Sequence, residues 1–101
     1  MELISLVKSK KDSKAINLIE NGIDTSFVDQ DDNTALHYAS SAGLVNVIIS
    51  ILEESVLTLD SCGKDGHTAV HFAVINKNIE ALVALVTYGA NINMLDEPEK
   101  T

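Results

Sequence analysis

Three histidines and one cysteine are the side chains in this sequence best suited to reactive or metal-binding chemistry. Cys62, His67 and His71 lie close together along the chain, and a thiolate with two imidazoles is a familiar start to a metal site. Zinc sites, however, take four convergent ligands, commonly in Cys-x-x-Cys or paired-histidine spacing, which this sequence lacks. We therefore predict no bound metal and no cofactor.

Catalytic residues of other kinds are also missing from the pattern. No nucleophile is paired with a base at a recognisable spacing, and no glycine-rich phosphate loop is present. The acidic pairs 31–32 and 53–54 are adjacent in sequence, which is typical of a solvated surface and not of a paired acid and base. We predict that the chain is not an enzyme.

Charge is unevenly distributed in a chain of 101 residues with a formal net charge of −8. From residue 15 onward, three lysines face thirteen acidic residues. Such a surface repels phosphate backbones and anionic lipids, so we expect neither a nucleic acid nor a membrane partner. The first fourteen residues differ, and their lysines form either a solvated turn or a docking patch. These lysines are Lys8, Lys10, Lys11 and Lys14.

The lone cysteine and the distribution of apolar residues bear on the cellular compartment of the protein. A lone cysteine cannot form an internal disulfide. The apolar stretch 3–7 is followed by lysines, the reverse of a secretory signal, and no apolar run approaches the roughly 20 residues of a membrane span. We expect an intracellular, cytoplasmic protein.

An internal repeat organises the chain. Residues 34–39 (TALHYA) and 68–73 (TAVHFA) are nearly the same sequence at a spacing of 34. Each threonine is suited to cap a short helix, predicted over 35–42 and 69–76. A second helix is predicted over 45–54, where Val47, Ile48, Ile51 and Leu52 share one helical face. One helix pair cannot bury both of its apolar faces, so the units must stack.

These residues resemble the ankyrin repeat, whose pattern is roughly D-x-x-G-x-T-P-L-H-x-A followed by a second helix and G-A-D-V-N. Residues 68–73 and 89–93 (GANIN) carry the resemblance most clearly. It implies one all-α domain over 1–101, an ankyrin-repeat solenoid of antiparallel helix pairs joined by β-hairpin-like loops. The repeats are expected at about 1–29, 30–62 and 63–95. Residues 96–101 resemble the start of another repeat, which suggests a longer array.

Three departures from the family pattern have structural consequences. Alanines 35 and 69 stand where proline is usual, and restoring proline is worth about 0.4–1 kcal/mol per site. Lys77 replaces a glycine, so either it adopts a left-handed conformation or the loop rearranges. The loop before Thr68 is one residue longer than the loop before Thr34, which predicts a bulge near residues 60–63.

The resemblance also implies roles for side chains. The histidines at 37 and 71 are expected to tie each loop to its helix through hydrogen bonds. Partners are expected at the hairpin tips and on the first helix of each repeat, which line a concave face. Repeat one contributes Ser5 and Lys8. The predicted protein-binding residues are Gln30, Asp31, Asn33, Tyr38, Ser41, Lys64, Asp65, His67, Phe72, Ile75 and Asn76.

Two aromatic residues stand out in that set. Tyr38 and Phe72 occupy the same position one repeat apart and are expected to be neighbours. Aromatic side chains of this kind anchor many interfaces, although packing against the adjoining helix explains them equally well.

Apolar residues on the second helices raise two further expectations. Ile16, Ile49 and Val83 form a stripe that is either exposed on the convex side or buried between rotated helices. In the last repeat, Leu82, Leu85 and Val86 should present an uncovered apolar face, through which the chain would self-associate unless more repeats follow.

The function implied is that of an adaptor or scaffold that binds another protein. The alternative is a regulatory or targeting segment of a larger enzyme, in which the repeats themselves are inert. The fold class does not identify the partner.

Overall fold

The structure is a computed structural model that describes residues 2–56 and 58–91. These residues form six α-helices and one short 3₁₀ turn, and they contain no β-strand. The expected start of a further repeat, residues 96–101, lies outside the described residues, as does the end of the 89–93 motif. The helices are α1 (Glu2–Lys8), α2 (Asp12–Glu20), α3 (Ala35–Ala42), α4 (Val45–Glu54), α5 (Ala69–Ile75) and α6 (Ile79–Thr87).

The helices pack as three antiparallel pairs in two rows. Each pair is joined by a short turn, and its two helices contact each other. Helix α3 lies between α1 and α5 in the first row, and α4 lies between α2 and α6 in the second. The predicted all-α stack of helix pairs is therefore confirmed.

The first helices of repeats two and three begin as the threonine pattern predicts. Thr34 has extended backbone angles (φ −92°, ψ 174°), and its hydroxyl accepts a hydrogen bond from the His37 N–H. Helix α3 ends at Gly43, which has a left-handed φ of 75°. In the third repeat Lys77 takes this conformation with φ 59°, the first of the two arrangements expected of it. Helix α5 ends at Ile75, one residue before the predicted end.

The loops between repeats close as tight turns. The Asp29 N–H donates to the Asn33 carbonyl at 3.0 Å, and the Gly63 N–H donates to the His67 carbonyl at 2.7 Å. Both pairings have the hairpin-like form that the family resemblance implies, although neither extends into a strand.

The core lies between the rows and is aliphatic. Ala39 and Ala73 are fully buried, and their small side chains let α3 and α5 approach closely. Burial of one large aliphatic side chain contributes about 1.5–3 kcal/mol. The largest fully buried aliphatic side chains are Ile19, Leu36, Ile48, Ile51 and Leu85, followed by Val7, Val47 and Val70.

The predicted apolar stripe on the second helices is not uniform. Ile16 and Ile49 are half-buried against the core, whereas Val83 is exposed. The expectation that Leu85 is uncovered is wrong, because Leu85 faces the interior with Ala81 and Ala84. Leu82 is half-buried and Val86 is exposed. No helix within the described ranges has the length and apolar character that crossing a membrane requires.

Candidate protein-interaction surface

The loop before α3 is organised by the carboxylate of Asp29, which is not among the predicted protein-binding residues. Asp29 Oδ1 accepts hydrogen bonds from the N–H groups of Asp31 (2.9 Å) and Asn33 (3.1 Å), and Oδ2 accepts one from the Tyr38 hydroxyl. Partial burial works against ionisation, but these bonds and the nearby Lys8 ammonium outweigh it and lower the pKa of Asp29. Asp29 therefore holds the tip that presents Gln30 and Asp31 to solvent.

Tyr38 links this tip to α3 and to α1. Its hydroxyl donates to Asp29 and accepts a hydrogen bond from Asn33 Nδ2 at 3.3 Å. The Lys8 ammonium lies over the ring, 5.0 Å from its centroid. Burial and the bond to Asp29 raise the pKa of Tyr38, so the phenol stays protonated. The Tyr38 side chain is half-buried and lies on α3, in the first row of helices.

Asn33 requires a correction. It is predicted as a contact residue at an exposed tip, but the structure buries it. Its Oδ1 accepts the Lys64 N–H at 2.9 Å, so the side chain joins the loops before α3 and α5. The loops meet closely here, since a Cβ added to Gly63 would lie 2.0 Å from that same oxygen. Asn33 thus joins the two loop tips from a buried position.

His37 has the structural role that the family resemblance implies. Its Nδ1 accepts the Thr34 N–H at 2.9 Å, so the proton of the neutral ring is on Nε2, which donates to the Ser61 carbonyl at 2.9 Å. Burial lowers the pKa of His37, which outweighs the raising effects of the nearby Ser61 and His67 backbone and of Asp29. His71 repeats the first contact, accepting the Thr68 N–H at 2.9 Å.

Around Phe72 the rings form a compact aromatic cluster. The Phe72 ring lies edge-to-face to His37 and to His67, with centroid distances of 5.3 Å and 5.9 Å. The His67 ring stacks on the His71 ring, with 5.1 Å between their centroids. Phe72 and His67 are each half-buried, so part of the cluster faces solvent. Among the residues that the structure describes, no three His, Cys, Asp or Glu side chains are grouped so that they could hold a metal ion.

The end of α5 supplies the remaining helical positions. Asn76 Nδ2 donates to the Ser41 hydroxyl at 3.1 Å and to the Phe72 carbonyl at 2.9 Å, connecting α5 to α3. Ile75, immediately before it, is exposed. Lys64 and Asp65 lie exposed in the 3₁₀ turn, where Asp65 has a left-handed φ of 60°.

Repeat one contributes an open groove of about 570 Å³ between α1 and the first loop. Ser5, Lys8 and Gln30, all expected at the binding face, line it together with Val28 and Asp29. The last two were missed by the sequence analysis. A signal for Asp29 was present, because it precedes Thr34 by five residues as Asp96 precedes Thr101.

Comparison with known proteins agrees with this architecture. The family model described as ankyrin repeats (3 copies) matches residues 3–96, nearly the whole chain. The chain belongs to the ankyrin repeat family. Ankyrin repeats are protein–protein interaction modules, and the resemblance stated from residues 68–73 and 89–93 is confirmed.

The curated relatives are much longer proteins. Serine/threonine-protein kinase 12 of Arabidopsis thaliana is 36% identical over 84 residues, which are 83% of this chain and 18% of the kinase. The nuclear factor NF-kappa-B p105 subunit of Rattus norvegicus is 28% identical over 93 residues, 90% of this chain and 10% of that protein. The chain thus spans less than a fifth of either relative.

A solved structure shows the same fold. The human ASB11 ankyrin repeat domain matches with a TM-score of 0.81 at 20% identity, over 90% of this chain and 41% of that one. At this identity the likeness establishes the arrangement of helix pairs.

Proposed function

We propose that this ankyrin stack binds another protein through the face formed by α1, α3 and α5 and the adjoining loop tips, and that it acts as an adaptor or scaffold. The observation that carries the proposal is a row of accessible side chains along one side of the stack: the half-buried rings of Tyr38 and Phe72, and the exposed Ile75. The tips beside them present Gln30, Asp31, Lys64 and Asp65.

Rigidity of this row supports a binding role. Tyr38 is held by Asp29, Phe72 is held by two imidazoles, and Asn76 is tied to Ser41. A surface whose side chains are already ordered loses little conformational entropy when a partner docks. Aromatic residues with few rotatable bonds are the side chains that most often carry binding energy.

Two exposed aliphatic residues offer a matched test of the proposed face. Ile75 (57% exposed) lies at the end of α5 on the first row, and Val83 (58% exposed) lies on α6 in the second row. We expect Ile75→Asp to abolish recovery of the specific partners captured by immobilised wild-type chain. Val83→Asp should retain them, because it adds the same charge at the same exposure away from the face.

Phe72→Ala sharpens this test. We expect at least a tenfold weaker affinity, about 1.4 kcal/mol, with helicity by circular dichroism largely unchanged because the ring is half-buried. Unchanged affinity in both the Phe72 and Ile75 variants, or partners lost only with Val83→Asp, would reject the face.

A second role is favoured by one relative. The kinase resembling this chain at 36% identity contains far more sequence than the matched segment. The ankyrin stack could therefore regulate or target an enzymatic domain in a longer protein, the repeats themselves catalysing nothing. Kinase activity that copurifies with the full-length protein, and that changes when residues 2–91 are deleted, would favour this role over the adaptor.

We place the protein in the cytoplasm, since the exposed thiol of Cys62 would be prone to oxidation in an oxidising compartment. A fluorescent fusion observed in the source cells tests the location.

A further inference from the structure

The turn between α1 and α2 holds more than half of the lysines of this chain. Residues 8–14 contain four lysines and one aspartate, a net charge of +3 within a chain of net charge −8, so all other residues together carry −11. We call residues 8–14 the lysine turn. Its four lysines are all exposed, and they are Lys8, Lys10, Lys11 and Lys14.

The equivalent turns of the other repeats form without this charge. Residues 41–47 occupy the same place in the second repeat and contain no charged residue, and residues 75–81 contain one lysine and one glutamate. The central residue is left-handed in all three turns, with φ 60° at Lys10, 75° at Gly43 and 59° at Lys77. Glycine adopts this conformation without steric cost, so the turn itself gains nothing from a lysine. The fold therefore does not require the lysines of the first turn.

The turn between two paired helices remains open to solvent even where repeats pack on both sides. Ala42 and Asn46 belong to the turn of the middle repeat, and both are exposed. At the lysine turn, the surface forms an open groove of about 420 Å³. A ligand therefore has direct access to the lysine side chains. The groove is lined by Lys10, Lys11, Asp12, Ser13 and Lys14.

The lysines differ in what surrounds their ammonium groups. The Lys8 ammonium lies over the Tyr38 ring, 5.0 Å from its centroid, and is already engaged. Within the described part of the chain, Lys10 and Lys11 form no ion pair. The corresponding groove in the third repeat is lined by both the lysine and the glutamate of its turn, so the charges there balance. Uncompensated positive charge is thus particular to the lysine turn.

We propose that the lysine turn docks a short acidic segment of a partner protein, whose carboxylates approach Lys10 and Lys11. Opposite charges across a surface steer the encounter and select the partner. The segment is short because the rest of the chain is acidic. With a Debye length of about 10 Å at 0.1 M salt, a short segment on the turn is screened from acidic residues farther away.

Other anionic ligands match this surface less well. A nucleic acid duplex or an anionic bilayer is much larger than the lysine turn, so its phosphates would also approach the acidic residues outside it. A small phosphate compound requires several donors that converge on one point. Exposed lysines on flexible stems provide no such fixed arrangement, whereas a peptide with several carboxylates can adapt to each ammonium group in turn.

A synthetic oligoglutamate peptide, added to the 101-residue chain, tests the proposal. We expect saturable changes in the NMR shifts of backbone amides, largest at residues 8–14, with a Kd on the order of 0.1 mM at low salt. The affinity should fall as salt is raised from about 0.05 M to about 0.5 M, because the attraction is screened. An oligoglutamine peptide of the same length, which carries no side-chain charge, should not bind.

Lys10→Glu and Lys77→Glu form a matched pair of variants. Each replaces an exposed, left-handed lysine by the same residue, so the change in net charge and in backbone strain is the same. Lys10→Glu should weaken oligoglutamate binding at least about tenfold, whereas Lys77→Glu should change it less than about twofold. Lys11→Glu, which leaves the left-handed residue intact, should repeat the loss. Circular dichroism verifies that all three variants keep the wild-type helicity.

Three outcomes would overturn the proposal. Absence of oligoglutamate binding, or equal losses in the Lys10 and Lys77 variants, would show that the lysine turn is a solvated surface only. Stronger binding of duplex DNA or of phosphatidylserine vesicles than of oligoglutamate at the same salt would assign the turn to a nucleic acid or a membrane. None of these results bears on the face formed by α1, α3 and α5, which the Ile75 and Phe72 variants test separately.

Discussion

Tyr38 and Phe72 occupy the same position in consecutive repeats, yet they are held in different ways. The Tyr38 hydroxyl is bound by Asp29 and Asn33, so this ring anchors its own loop through polar contacts. Phe72 has no hydroxyl and packs its ring against the imidazoles of His37 and His67. The repeat thus specifies where the aromatic residue lies, while the surrounding loop determines what it does.

The difference extends to the histidines below these rings. His37 is fully buried and bridges Thr34 to Ser61, 24 residues away. His71 is half-buried and accepts the Thr68 N–H. The position equivalent to Ser61 in the next loop is residue 95, which lies outside the described residues. Three measurements test how far the junctions differ.

The largest expected effect comes from removing the histidines. His37→Ala should lower the free energy of unfolding by about 3 kcal/mol, because it opens a cavity and leaves a buried N–H and a carbonyl without partners. His71→Ala should cost about 1 kcal/mol, since water reaches that site. Urea unfolding followed by circular dichroism gives both values. Equal losses would show that the two junctions are energetically the same.

A smaller effect is expected at the aromatic position. Tyr38→Phe should cost about 1 kcal/mol, because it removes the hydrogen bond to Asp29 and leaves the ring in place. Phe72→Tyr, the reciprocal change, should be close to neutral, because the half-buried ring leaves a hydroxyl access to water. A double-mutant cycle of Tyr38→Phe with Asp29→Asn measures the coupling, and additive losses would mean that the bond contributes nothing to stability.

The smallest effect is a pH dependence from the buried histidine. Its pKa is lowered below 6.5 in the folded chain, so between that lowered value and 6.5 the unfolded chain binds the proton and the folded chain does not. Stability should be fully present above pH 6.5 and fall as the pH drops through this window.

Urea midpoints at several pH values, with an NMR titration of the His37 ring, measure that dependence. In His37→Ala the decrease between pH 6.5 and 5 should be smaller. A His37 pKa above 6.5, or stability that rises on acidification, would contradict the burial of the neutral ring. The carboxylate of Asp29, with a pKa below its ordinary 3.8, titrates in a separate and more acidic range.

The sequence alone determined the repeat, the family and the ends of α3, α4 and, to within one residue, α5. The threonine and histidine of each unit are three residues apart, so the hydrogen bonds that start α3 and α5 are local and can be read from the pattern. The 34-residue spacing likewise places equivalent residues in equivalent positions without any knowledge of contacts. The roles of His37 and His71 were implied by the resemblance of these residues to the ankyrin repeat.

Tertiary structure decided which of those equivalent residues are accessible. Asn33 is buried because the Lys64 N–H, 31 residues later, closes on its side chain. Ile49, on a helix that α6 packs against, is half-buried, whereas its counterpart Val83 on α6 is exposed, and neither residue type encodes this difference. Local spacing determines the position of a residue within its repeat. Segments that are distant in sequence determine which neighbours the side chain contacts. They therefore also determine whether a partner protein can reach it.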